Sequence, residues 1–341
     1  MHDEPPKHQH DAGPSHHHGP GGHAHMHGVV DPSIFSTQRG IWAVKWSFIW
    51  LLATALFQLV IVLFTGSVAL LADTIHNVGD AATALPLWVS FRLAGRRPNS
   101  RFTYGYGRLE DLAGLAIVLT ILASALVAGY ETLDRFWHPR TVSHLWAVGA
   151  AAVVGFLGNE AVARFRIKVG QEIGSAALVA DGRHARVDGL TSLAVLLGAL
   201  GVWLGFPLAD ALVGLLITVV ILRIVWQAGQ AIFTRMLDGV DPEITGEIRH
   251  TASQTPGVQE ISEVRVRWLG HRLHAELNVA VDPELSVDKG HEIAKEVRHR
   301  LLHQLQYLSN ATIHIDPANA PGEDYHRVAE HEHDGLPVHL H

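Results

Sequence analysis

Two pairs of ionisable residues stand in stretches otherwise apolar enough to cross a bilayer. Residues 70–91 read LLADTIHNVGDAATALPLWVSF and carry His76 and Asp80; residues 180–202 begin ADGRHARVDGLTSL and carry His184 and Asp188. A spacing of four places each pair on one face of a helix. Counted from the entries of the apolar spans at 67 and 175, each pair lies about eight to ten residues in, which at ~1.5 Å per residue is near mid-membrane. Ionisable groups there cost several kcal/mol unless they are paired or hydrated, so they should face a partner or a water-filled cavity. The chain has no cysteine, which excludes thiolate ligands. Two imidazole nitrogens and two carboxylates form a set suited to four-coordinate Zn²⁺. Magnesium would favour six oxygens, and calcium more. One such pair is compatible with a plain internal hydrogen bond; two at equal spacing and similar depth point to a metal site.

Ligands without a hydrolytic apparatus invite movement of the metal. Binding displaces protons, because ligating groups must be deprotonated. Histidine titrates near neutrality, so alternating exposure of such a site would exchange metal outward for protons inward. No Walker-type glycine-rich loop accompanies it. Two other classes compete: a membrane metal sensor or storage protein without translocation, and an intramembrane hydrolase. Two complete ligand pairs leave the hydrolase no open coordination position and no separate general base. Asp73, three residues before His76, is either a carboxylate that orients the imidazole or a hydrated polar group beside the cavity.

The elements that must hold these residues follow from composition. Of 341 residues, 48% are hydrophobic, which indicates several membrane spans. A net charge of −7 without a basic cluster gives no sign of a nucleic-acid partner. Six apolar stretches, at 42–65, 67–91, 109–132, 144–164, 175–204 and 207–232, predict six transmembrane helices in a segment 39–236. Arg92, Arg96, Arg97, Arg101 and Arg108 separate the second and third. Arg164, Arg166 and Lys168 follow the fourth. The positive-inside tendency makes these joins cytoplasmic, and with six spans both termini as well. Residues 1–38 hold many of the 25 histidines among Pro and Gly, which predicts a disordered tail that either collects metal weakly or is an inert solvating segment. Residues 237–317 have the composition of a soluble domain. Helix, alternating strand, strand, helix and short strand succeed one another, an αββαβ order that predicts a small α+β sandwich. Residues 318–341 predict a second disordered, His-bearing tail.

TGSVALLADTIHNVGD and ADGRHARVDGLTSLAVLLG resemble the second- and fifth-span metal motifs of the cation diffusion facilitator family of metal/proton antiporters. The resemblance covers roughly residues 40–317, including the terminal IHIDP. It implies a six-span homodimer in the bilayer of a bacterial-type inner (plasma) membrane, with a cytoplasmic ferredoxin-like domain. Its transported cations would be Zn²⁺, with Co²⁺ or Cd²⁺ in some members, exchanged for protons. The motifs carry over directly to His76, Asp80, His184 and Asp188. A second metal site found in some members uses histidines of an HSFGHGK-like segment; here FTYGYGR places Tyr104 and Tyr106 there, so no such site is expected. Arg108 and Glu110 then suit interspan or subunit salt bridges. In the cytoplasmic domain, His291, His314 and Asp316 fit family ligand positions, whereas Leu277 occupies another. His271 and His274 on the hairpin could substitute for a missing ligand and hold a structural or regulatory Zn²⁺. Each is equally compatible with a surface histidine.

Overall fold

The computed structural model describes residues 32–65, 84–137, 145–206 and 208–322. Among the described residues six helices come first: α1 (Pro32–Thr65), α2 (Ala84–Ala94), α3 (Arg108–Trp137), α4 (Leu145–Ile173), α5 (Ala176–Trp203) and α6 (Ala209–Met236). Within α1, α3 and α6, the segments Ser36–Phe57, Arg108–Asp134 and Ala211–Met236 are long and apolar enough to cross a membrane. Helices α4 and α5 have 29 and 28 residues, also ample for a hydrocarbon core of about 30 Å. Polar residues dilute their hydropathy, and several of those residues point inward. Asn159, Arg166, Asp181, His184 and Asp188 are buried, while Leu157, Leu216, Trp203 and Trp226 are exposed. An apolar exterior around a polar interior suits lipid.

Two boundaries differ from the apolar pattern. Helix α1 begins at Pro32 and takes in residues 32–38, which composition assigned to the tail. Proline is preorganised for a first helical position, and the helix needs no apolar side chains to start. Helix α4 runs nine residues past 164 to Ile173, so Arg166 and Lys168 are helical rather than part of a loop. The hydropathy signal ends where the polar residues begin, not where the backbone ladder does.

Helices α4 and α5 form a hairpin through Gly174, at φ 72°. Ser175 caps α5 by accepting from the Leu178 amide at 3.0 Å. The two helices approach closely at glycines. A Cβ on Gly182 would lie 2.7 Å from Ile167 Cγ1, and one on Gly170 2.8 Å from Val179 Cγ2. Helix α5 also packs on α3 and α6. Leu87, Phe91, Ile117, Ile121, Leu178, Val187, Ile221 and Ile232 fill the core among them.

The remaining elements are α7 (Pro242–Ser253), β1 (Glu260–Leu269), β2 (Arg272–Val281), α8 (Val287–Gln304) and β3 (Leu308–Pro317), the αββαβ order expected. Asp241 and Ser286 cap α7 and α8 by accepting from the Glu243 and Lys289 amides. The sheet order is β1-β2-β3, with β2 antiparallel to β1 and parallel to β3. Along β2, Leu273, Ala275, Leu277 and Val279 alternate inward to meet Ile248, Ala252, Val297 and Leu301 of α7 and α8. Leu277 is thus a core residue, 1% exposed, where the family pattern suggested a ligand position.

Candidate metal site

His184 lies two turns inside α5, facing the bundle interior, with Asp188 one turn further on. His184 Nδ1 stands 3.7 Å from Asp188 Oδ2, and the side chains are 1% and 5% exposed. The i,i+4 spacing therefore brings an imidazole and a carboxylate together out of water. Thr191 and Ser192 hydroxyls donate to the Asp188 carbonyl at 2.8 and 3.2 Å. Both turn back onto their own helix rather than bridging to another. His76, Asp80 and Asp73 lie outside the described residues, and the described geometry is that of the His184–Asp188 pair.

Charged residues flank this pair on the α4 side. Glu160 of α4 accepts from Arg186 of α5 at 3.1 and 3.2 Å and from Arg164 at 2.7 Å. Arg166 Nη1 lies 3.0 Å from Asp181 Oδ2, with the two side chains 1% and 0% exposed. In the sequence Arg166 reads only as part of a positive join, and Asp181 has no role in either His–Asp pair. The available signal was that Asp181 sits three residues before His184, on the same face of the helix.

The cytoplasmic-domain candidates do not converge. Among the described residues, no group of three or more His, Asp or Glu could hold a metal ion. His314 and Asp316, two apart on β3, pair with each other through Nε2 and Oδ1 at 3.0 Å. His291 is exposed on α8, on a surface of ion pairs. There, hydrogen bonds from Lys295 and Arg300 hold the Glu292 and Glu296 carboxyls below their ordinary range. His274 sets its ring edge toward Tyr104, with centroids 6.5 Å apart.

His271 stands elsewhere, at the tip of the β1–β2 hairpin where the domain meets the helices. It is 3% exposed. Its Nδ1 lies 2.6 Å from Glu110 Oε2 on α3, and its Nε2 3.0 Å from Thr37 Oγ1 on α1. Both ring nitrogens are thus taken up by the helical part of the chain. Gly270, at φ 64°, makes the approach possible, since a Cβ there would lie 2.7 Å from the Gly107 carbonyl oxygen and 2.8 Å from Glu110 Oε2. Around this contact, Arg108 pairs with Asp238. Arg235 donates to the Gly174 carbonyl at 2.6 Å and stacks over Trp268 at 4.0 Å. Tyr307 donates to the Gln171 carbonyl at 3.0 Å.

Comparison with known proteins accounts for both parts of the chain. Residues 44–231 match the cation efflux transmembrane domain, and residues 240–318 match the cation efflux protein cytoplasmic domain. A probable cation efflux system protein of Mycobacterium tuberculosis is 52% identical over 289 residues, 85% of this chain and 87% of that one. The magnetosome protein MamB of Paramagnetospirillum magneticum is 28% identical over 280 residues, 81% of this chain and 94% of that one. The chain belongs to the cation efflux, or cation diffusion facilitator, family of membrane transporters.

Proposed function

We propose that this chain exports Zn²⁺ from the cytoplasm in exchange for protons, through a site formed by His76, Asp80, His184 and Asp188. The observation that carries this is the His184–Asp188 pair, buried side by side on α5 with nitrogen and oxygen 3.7 Å apart. An imidazole and a carboxylate removed from water take up a divalent cation readily, and both must be deprotonated to do so. Each cation loaded therefore releases protons, and each cation discharged leaves ligands that protonate again. Alternating access turns that competition into antiport without a nucleotide. Co²⁺ and Cd²⁺ suit the same ligands.

In this proposal the protein is a homodimer of the inner (plasma) membrane, with both termini cytoplasmic. Residues 39–236 carry the metal, 237–317 form the cytoplasmic domain, and the His-bearing tails are 318–341 and the residues that precede α1 at Pro32. The test is Zn²⁺ uptake by proteoliposomes that hold the chain cytoplasmic face outward, acid inside. The parent accumulates Zn²⁺ and the gradient collapses in step; His184→Ala and Asp188→Ala lose at least about a hundredfold in rate, as removal of a metal ligand should. Uptake by either variant at the parent's rate would refute the site, and uptake indifferent to the gradient would refute the exchange.

A further inference from the structure

The buried pair between Arg166 and Asp181 lacks a stability rationale. Taking both charges out of water costs several kcal/mol per ion, and apolar residues of similar volume commonly serve a fold as well or better. The α4–α5 crossing already has close packing at Gly170 and Gly182. The pair is also incompletely made. A guanidinium and a carboxylate usually meet through two parallel hydrogen bonds. Here one nitrogen meets one oxygen at 3.0 Å. Arg166 Nε and Nη2 and both carboxylate oxygens of Asp181 are buried without a hydrogen-bond partner among the described residues, so the 3.0 Å contact is an ion pair rather than a well-aligned hydrogen bond. A buried carboxylate oxygen left open is costly, and a cation satisfies it.

Position gives that open oxygen a use. Asp181, His184 and Asp188 follow one another at three and four residues, along one face of α5. Asp181 lies one turn below His184, ~4.5 Å along the axis. It lies toward the Gly174 turn, where Arg235 and Tyr307 join the helices to the cytoplasmic domain. A cation moving from the cytoplasm to His184 along this face meets the Asp181 carboxylate first.

We infer that Asp181 is a waiting site for the divalent cation on the cytoplasmic side of His184, and that Arg166 is a tethered cation which holds its place when no metal is there. The inference rests on the transport function proposed above. An arriving metal ion takes the carboxylate and displaces the guanidinium. When the ion passes on to His184 and Asp188, Arg166 returns and neutralises Asp181 again. The positive charge of Arg166 then also opposes the metal's return. No bond is made or broken beyond coordination.

The test uses the full chain in proteoliposomes, cytoplasmic face outward, with Zn²⁺ alone as the probe and the parent measured alongside. One variant neutralises the pair, Arg166→Met with Asp181→Asn. The other exchanges it, Arg166→Asp with Asp181→Arg. Both should elute and melt as the parent does. In both, KM for Zn²⁺ should rise about tenfold while kcat stays within about threefold, the pattern of a lost binding step. The exchanged variant separates the explanations, because it keeps an ion pair at the crossing and moves the carboxylate off the α5 face. Parental KM in either folded variant overturns the inference and leaves a structural pair. If the exchanged chain does not fold, the neutral one still decides. A parent without Zn²⁺ flux overturns the transport function itself, and this inference with it.

Discussion

In the proposed site a cation binds His184 and Asp188 only when both are deprotonated and the chain is folded, and that has a thermodynamic consequence. A ligand bound to the folded state alone stabilises it by RT ln(1 + [L]/Kd), about 2.7 kcal/mol at a hundredfold excess over Kd. The parent should therefore melt higher when Zn²⁺ is added, and His184→Ala should lose most of that gain whatever its melting point without metal. Thermal unfolding in detergent, with and without Zn²⁺, measures it; an equal gain in the variant would remove His184 from the site. This pair was legible in the sequence because its partners are four residues apart, and a helix makes that a contact. The Arg166–Asp181 pair was not legible, because fifteen residues and a helix turn separate its members. His271 shows the same limit. Its residue type suggested a ligand, but its partners Glu110 and Thr37 lie 161 and 234 residues away.

Helices position these residues through surfaces that the apolar pattern does not encode. Hydrophobic stretches and an αββαβ alternation are periodic signals, and most of the described element ends follow them to within a few residues; of the second stretch, 67–91, only the part from Ala84 onward lies within the described residues. The ends at Pro32 and Ile173 do not, because a backbone ladder continues through polar residues such as Arg166, Lys168 and Glu172. Neither does the α4–α5 crossing, where glycine matters for what it lacks. A methyl group on Gly182 would meet Ile167 Cγ1 at 2.7 Å and the Ile167 amide nitrogen at 2.9 Å, and backbone cannot move aside cheaply. Gly182→Ala should cost about 1–3 kcal/mol as overpacking, despite the better helix propensity of alanine. Gly246, within α7, has nothing within 4 Å of the same added atom. There the propensity term stands alone, and Gly246→Ala should raise stability by about 0.5–1 kcal/mol. The two variants should therefore move the melting temperature in opposite directions. If Gly182→Ala melted at or above the parent, close packing would not be what sets the helix spacing beside His184.

At the scale of the whole chain, a hairpin tip, with Tyr307 beside it, joins the sheet domain to the helices, and the contacts are distributed over them. His271 reaches α1 and α3, and Arg235 of α6 touches both the Gly174 carbonyl at 2.6 Å and the Gly270 carbonyl at 3.3 Å. A shift of the domain would thus bear on the turn that leads into the helix carrying Asp181 and His184. The His271–Glu110 contact is the one whose loss should matter most, since both side chains are 1% exposed. Removing the imidazole leaves the buried Glu110 carboxyl without this hydrogen-bond partner, typically at a cost of about 1–3 kcal/mol. The sheet core of Leu273, Leu277, Val297 and Leu301 lies on other residues and does not depend on it. His271→Ala should therefore undock the domain rather than unfold it. Hydrogen exchange would rise at the hairpin amides around 268–272 and at the start of α3, while the amides of α8 kept the parent's protection. Glu110→Gln retains an acceptor for the imidazole and removes the charge, so it should fall between the two. Unchanged exchange at the hairpin in His271→Ala would mean that the Arg235, Tyr307 and glycine contacts hold the domain by themselves. The coupling between domain and helices would then run through α6 rather than through α1 and α3.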